Sequence, residues 1–244
     1  MSNHNRRVAD PQLVAKRLPQ IINAAIQQFG ENGFHSTTIQ DIAKTAGISI
    51  GMIYQYVSDK EELLYLSVDA IVDHCLREVE KARANTEGLL ERYVAVVEGL
   101  TRVIDERRAE AVVGYRESHS MSRAHLQYVM KRERQIGQIV IECIDDCIEA
   151  GIFRNINSDM LMYQSIVFAH NWALNAWRFR RVMTVEAYLK EGLNLILRPV
   201  LQDFDTQVAA GLRNAGKVPA QPKRRVEGSI SIPRKRKRSA ATAD

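Results

Sequence analysis

Residues 46–64 read AGISIGMIYQYVSDKEELL. Tyr54 and Tyr56 carry hydroxyls able to bond phosphate oxygens, and the Gln55 amide can pair with an adenine edge. Lys60 brings positive charge to the free N–H groups of a helix start, a place that suits an anion. This is the chemistry of hydrogen bonding to a polyanion, not of bond making. The chain has no phosphate-cradling glycine loop, no GxSxG, no HExxH and no dinucleotide fingerprint. The acid pairs Asp145–Asp146 and Glu61–Glu62 fall on helical patterns and read as solvated charges. Neither an enzyme nor a cofactor is expected.

These side chains need three helix boundaries close together. Thr38 caps a helix of about two turns whose apolar positions are Ile39, Ile42 and Ala43. Gly47 ends it, because glycine alone enters the left-handed conformation without steric cost. Ile48 plugs the angle, and Ser49 caps a second helix that runs to about Val57 and packs through Ile53 and Val57. Ser58 or Asp59 starts a third. Two helices crossing through a glycine turn make a helix-turn-helix, whose second helix fits a DNA major groove. The same pattern also suits a core helical hairpin whose tyrosines only pack.

Residues 29–64, FGENGFHSTTIQDIAKTAGISIGMIYQYVSDKEELL, resemble the DNA-binding domain of the TetR family of bacterial transcriptional regulators. The matching positions include Phe29, Gly33, Phe34, Thr38, Ile42, Ala43, Gly47, Ser49, Gly51, Tyr54, Lys60 and Leu63. The resemblance implies a dimer on a palindromic, double-stranded operator, joined through the last two helices and released by a small-molecule effector. The implied DNA-binding set is Thr38, Gln40, Ser49, Gly51, Tyr54, Gln55, Tyr56 and Lys60. Among them Thr38, Tyr54, Tyr56 and Lys60 are the phosphate contacts, and Gln40 and Gln55 face bases. Three positions depart from the family pattern: Met52 stands where Thr or Ser is usual, Ile50 replaces a residue that is commonly polar or basic, and Val57 replaces a common Phe, a packing change of the same kind. Arg6, Arg7, Lys16 and Arg17 could compensate as a basic arm.

Across its 244 residues the chain reads as helix almost throughout. The fold class is all-α, about nine helices: a three-helix head at 11–58 behind an arm at 1–10, then an effector-binding and dimerisation domain at 59–213. A helix runs over 11–32. A long one follows Asp59, another covers about 87–110, and others span 122–150, from 158 onward, and from Thr184 to near Pro199. The helix from 158 is apolar nearly all round, so it must be buried on most sides. The net charge of +5 divides into +8 from Arg213 onward, +2 in residues 1–60 and −5 between. Residues 214–244 read as a disordered basic tail. Basic ends around an acidic middle also suit a second function: a helical partner-binding scaffold with nonspecific affinity for nucleic acid. No run of apolar residues is long enough for a membrane span, and the N-terminus lacks a signal-peptide core. A cytoplasmic protein is expected.

Within 61–180, where the resemblance places the effector, the candidate polar residues are His74, Arg116, His119, Gln164, Asn171, Asn175 and Arg178. The spacing of 164, 171, 175 and 178 keeps four of them on one helix face. Such a stripe can line a pocket, face solvent or cross a dimer seam. Residues 168–197 also look like regulators that answer to acyl-CoA or related lipid-like effectors, with Arg178, Arg180 and Arg181 at a pocket rim or solvated at a helix end. The three cysteines lack metal spacing. Cys143 and Cys147, at i and i+4, are flanked by isoleucines and read as small hydrophobes, with no metal site expected.

Overall fold

The computed structural model describes residues 11–202, with side chains from Arg17 onward; the arm at 1–10 and the tail at 214–244 lie outside the described residues. Ten α-helices follow one another: α1 (Pro11–Asn32), α2 (Ile39–Ala46), α3 (Ile50–Ile53), α4 (Lys60–Asn85), α5 (Leu89–Glu106), α6 (Arg108–Glu117), α7 (Arg123–Glu149), α8 (Ser158–Leu174), α9 (Ala176–Phe179) and α10 (Val185–Leu197). Among the described residues there is no strand, only an isolated bridge between Phe153 and Leu201.

Caps cut the head where the sequence places them. Thr38 and Asp41 form a capping box at the start of α2: the Thr38 hydroxyl accepts from the Asp41 N–H, and the Asp41 carboxylate accepts from the Thr38 N–H. These bonds hold the Asp41 carboxyl below its ordinary value. Gly47 sits at φ 65° and ends α2. Ser49 caps α3 by accepting from the Met52 N–H. Ile21, Phe29, Ile42, Ile53 and Leu63 are wholly or almost wholly buried and join α1, α2, α3 and α4 in one apolar core.

Two expected helices are shorter than their patterns. The segment 87–110 is broken at Arg107, whose backbone (φ −108°, ψ 38°) leaves the helix. No glycine or proline marks the spot. Arg107 instead bonds Glu110 one turn on, at 3.2 Å, and the break lets α6 pack beside α1 and α4. The helix from 158 stops at Asn175, whose amide donates to the Asn171 side chain at 2.6 Å. Trp172 is buried on α8, and its Nε1–H donates to Asp105 of α5 at 2.7 Å. Trp177, just past the break, is exposed.

Candidate nucleic-acid interface and ligand cavity

α3 is a single turn, and residues 54–56 continue it as a tighter coil in which Tyr56 N–H bonds the Ile53 carbonyl at 2.9 Å. That tightening rotates the two tyrosines apart. Tyr54 and Gln55 stay exposed, as do Gln40 and Ile50. Tyr56 turns inward, packs against the core, and buries its hydroxyl without a hydrogen-bond partner. It is not presented for a phosphate in this arrangement. Thr38 and Ser49 are exposed but commit their oxygens to helix caps. Gly51 is exposed, and a Cβ there would touch nothing within the chain.

Lys60 is the second residue whose placement differs from its expected role. Its ammonium donates to the carbonyls of Phe34 (2.8 Å), His35 (3.1 Å) and Thr37 (2.9 Å). It also lies 4.6 Å from the centre of the Phe34 ring. A lysine ammonium has three protons, and all three are used internally. Lys60 therefore ties the start of α4 to the loop between α1 and α2. A second tie comes from Glu61, whose carboxylate accepts from the Ser122 N–H at 2.8 Å and bonds His125 Nδ1 at 2.9 Å. Tyr65 stacks on the His125 ring at 4.0 Å. Farther along α4, Asp69 and Asp73 both grip Arg132, at 2.7 and 2.5 Å.

Above these ties α4 forms one wall of a cavity of about 960 Å³, through Val68, Ile71, Val72 and Cys75. The other walls come from α5, α6, α7 and α8. From α8 the lining residues include Met162, Ile166, His170 and Ala173, one helical stripe. Charged and ionisable groups at the wall are Cys75, Glu110, Tyr115, Glu133, Arg134, Asp159, Tyr163 and His170. Crowding by protein pushes the Glu133 carboxyl up and the His170 imidazole down from their ordinary values.

None of Arg116, His119, Gln164, Asn171, Asn175 or Arg178 lines the cavity. Arg116, His119, Gln164 and Arg178 are exposed. Asn171 donates to the Tyr188 hydroxyl of α10 at 3.3 Å, so the Asn171–Asn175 pair faces that helix. The polar stripe stands on the side of α8 away from the cavity, and the break at Asn175 takes Arg178 out of register. His170 was discoverable from sequence: it lies at i+11 from Asp159 and i+7 from Tyr163, inside the apolar stripe. Glu133 gave no such signal, since α7 carries acids on several faces. Cys75, Cys143 and Cys147 are buried, with thiols pushed up by burial, Cys75 to about 12. Among the described residues no three His, Cys, Asp or Glu side chains group as a metal site.

A helix-turn-helix head tied by one long helix to an apolar, partly polar cavity defines a helical transcriptional regulator with a ligand-binding domain. Residues 21–65 match the family profile "Bacterial regulatory proteins, tetR family", and residues 86–178 match "Tetracyclin repressor-like, C-terminal domain". The chain is 34% identical over 194 residues to the HTH-type transcriptional regulator HbdR of Aromatoleum sp. (strain CIB), covering 80% of this chain and 85% of that one. It belongs to the TetR family. A TetR-family regulator from Rhodococcus RHA1 superposes with TM-score 0.70 at 22% identity, over 75% of this chain and 96% of that one. AibR, solved with isovaleryl coenzyme A and operator DNA, superposes with TM-score 0.66 at 15% identity, over 75% and 98% of the two chains. No helix among the described residues is long and apolar enough to cross a membrane.

Proposed function

We propose that this protein is a dimeric repressor that holds a palindromic operator and lets go when a small molecule fills the cavity. The observation that carries this reading is the span of α4. Its first residue, Lys60, is fixed to the head, and Val68 to Cys75 wall the cavity. At 1.5 Å per residue those points lie roughly 12–22 Å apart on one rigid rod. A ligand that displaces the cavity wall therefore moves the head, provided it binds the two positions of α4 with different affinity.

The exposed side chains Gln40, Tyr54 and Gln55 serve as the reading and phosphate contacts. Gly51 gives the DNA backbone room to approach, which accounts for a glycine whose open side nothing in the chain requires. Met160, Tyr163 and Val167 form an exposed apolar stripe along α8, and Leu195 is 76% exposed on α10. Isolated exposed apolar residues are ordinary, but a helical stripe of them supports a subunit seam. Paired across it, two heads stand about one DNA turn apart, roughly 34–36 Å.

The effector has an apolar body, which suits the acyl part of an acyl-CoA. The wall carries Glu110, Glu133 and Asp159 against one arginine, Arg134, so a coenzyme's phosphates belong outside it. The test begins with selection of bound sequences from random duplex DNA, followed by anisotropy titration. Tyr54→Ala and Gln55→Ala should weaken or relax operator binding at least tenfold with the dimer intact. Acyl-CoAs of graded chain length should then release the operator. Selection that yields no palindrome, or mutants that bind like the parent, would overturn the reading.

A further inference from the structure

Among the described side chains of the head, the large apolar ones are buried or packed against the core, with two exceptions. Ile50 is 40% exposed and Tyr54 is 55% exposed. Both stand on the coil of α3, four residues apart, so they share one face, while Ile53 between them turns into the core. A single exposed isoleucine is ordinary on a protein surface. What sets this one apart is the work left to the residues around it.

The polar groups of the head are largely committed elsewhere. Thr38 and Ser49 cap helices, Lys60 holds three carbonyls, and Tyr56 lies inward. Gln40, Tyr54 and Gln55 remain outward, and Ile50 stands among them. Its place is fixed by the backbone on either side: Ser49 Oγ accepts from the Met52 N–H at 3.2 Å, and the Ile50 carbonyl accepts from the Tyr54 N–H at 3.2 Å. The adjoining position is open, because a Cβ on Gly51 would meet nothing in the chain beyond its immediate neighbours.

A branched aliphatic side chain neither donates nor accepts a hydrogen bond, so it gains nothing from a phosphate or from the polar edge of a base. In the major groove the base edges offer one apolar group, the 5-methyl of thymine. The early residues of a reading helix are the ones that reach base edges.

We propose that Ile50 reads a thymine by packing against its 5-methyl group, so that each half of the operator carries an A·T pair at that position. The proposal rests on the head reading DNA and adds a base that it selects without a hydrogen bond. Covering one methyl group is worth a factor of about three to five in affinity.

The test uses the full-length protein and an operator recovered from random duplex DNA. Each thymine is replaced in turn by deoxyuridine, which removes the 5-methyl and keeps the pairing. Anisotropy titration gives the affinity of the parent, Ile50→Ala and Ile50→Leu, with a thermal melt of each. One thymine in each half should stand out. Its replacement should weaken the parent about three- to fivefold and Ile50→Ala by less than about 1.5-fold, the mark of a direct contact in a double-substitution cycle. Ile50→Leu keeps the apolar volume and should stay sensitive to that uracil by about twofold or more; it carries the test if Ile50→Ala melts below the parent. Equal sensitivity of parent and Ile50→Ala at every thymine, or parent-like affinity of Ile50→Ala for the unmodified operator, overturns the contact, while weakened binding by Tyr54→Ala and Gln55→Ala leaves the head reading DNA. If the selection yields no preferred sequence, the reading of the head falls and the contact falls with it.

Discussion

Lys60 carries a consequence that can be measured through salt. A lysine that neutralises a phosphate contributes about 0.9 to the slope of log affinity against log salt. Lys60 spends its three protons on main-chain oxygens, so Lys60→Met should leave that slope unchanged. It should instead lower the melting temperature and weaken operator binding at every salt concentration alike. Anisotropy at three salt concentrations, paired with thermal melts, separates the two roles. Glu133 makes a different residue-scale prediction. Its folded-state pKa is raised, so below about 4.5 its carboxyl is neutral in both folded and unfolded chains and favours neither. As pH rises through and beyond 4.5 the unfolded chain ionises first, and stability is lost. Glu133→Gln should therefore melt like the parent at pH 4 and increasingly above it as pH rises. His170 shifts the other way, and its cost grows as pH falls below 6.5. That cost is common to parent and variant and cancels in the comparison.

At the scale of elements, the caps were legible because they are local: Thr38, Gly47, Ser49, Asp59 and Thr184 each act within a turn of themselves. The break at Arg107 was not, because its cause is the packing of α6 and not any residue that refuses a helix. Tyr56 lies inward for a related reason. Its type suits a phosphate, but the coil that follows Ile53 decides which way it points. The polar face of α8, conspicuous in the sequence, lies off the cavity. The cavity instead uses the greasy stripe, with one histidine in it. Gly192 of α10 offers a test of how tightly these last helices fit. A Cβ there would lie 2.1 Å from the Phe168 ring of α8, a ring stacked on Tyr188 at 4.5 Å. Gly192→Ala gains helix propensity but must displace that stack. The net result should be a loss of roughly 1–3 kcal/mol, the usual range for overpacking, read as a lower denaturation midpoint in urea.

For the whole molecule, the question is whether two chains act as one. If the α8 stripe is the seam, Val167→Glu places a charge on an apolar surface and should shift sedimentation from dimer to monomer at micromolar concentration. Operator affinity should then fall by more than a hundredfold, since each head alone reads half a site. The cavity should still bind its acyl-CoA probes, because most of its lining residues lie off the α8 stripe, with Tyr163 shared between the two. A variant that stays dimeric with unchanged operator affinity would move the seam elsewhere.

The attachment of the head has a bearing on how such proteins can be recombined. Lys60 recognises the carbonyls of Phe34, His35 and Thr37, and carbonyls are the same whatever side chain they belong to. The lysine's part of the joint therefore asks only for a loop of the right shape; the rest is the packing of α1 on α4 and α6 and the contact of His35 with Ser120. Heads from other chains fit this joint when they keep that loop shape and also the α1 surface that packs on α4 and α6, where Gly30 approaches Val113. A regulator with a new DNA target and the old ligand response is then reachable by grafting residues 11–59 alone, with the lysine left on the receiving helix.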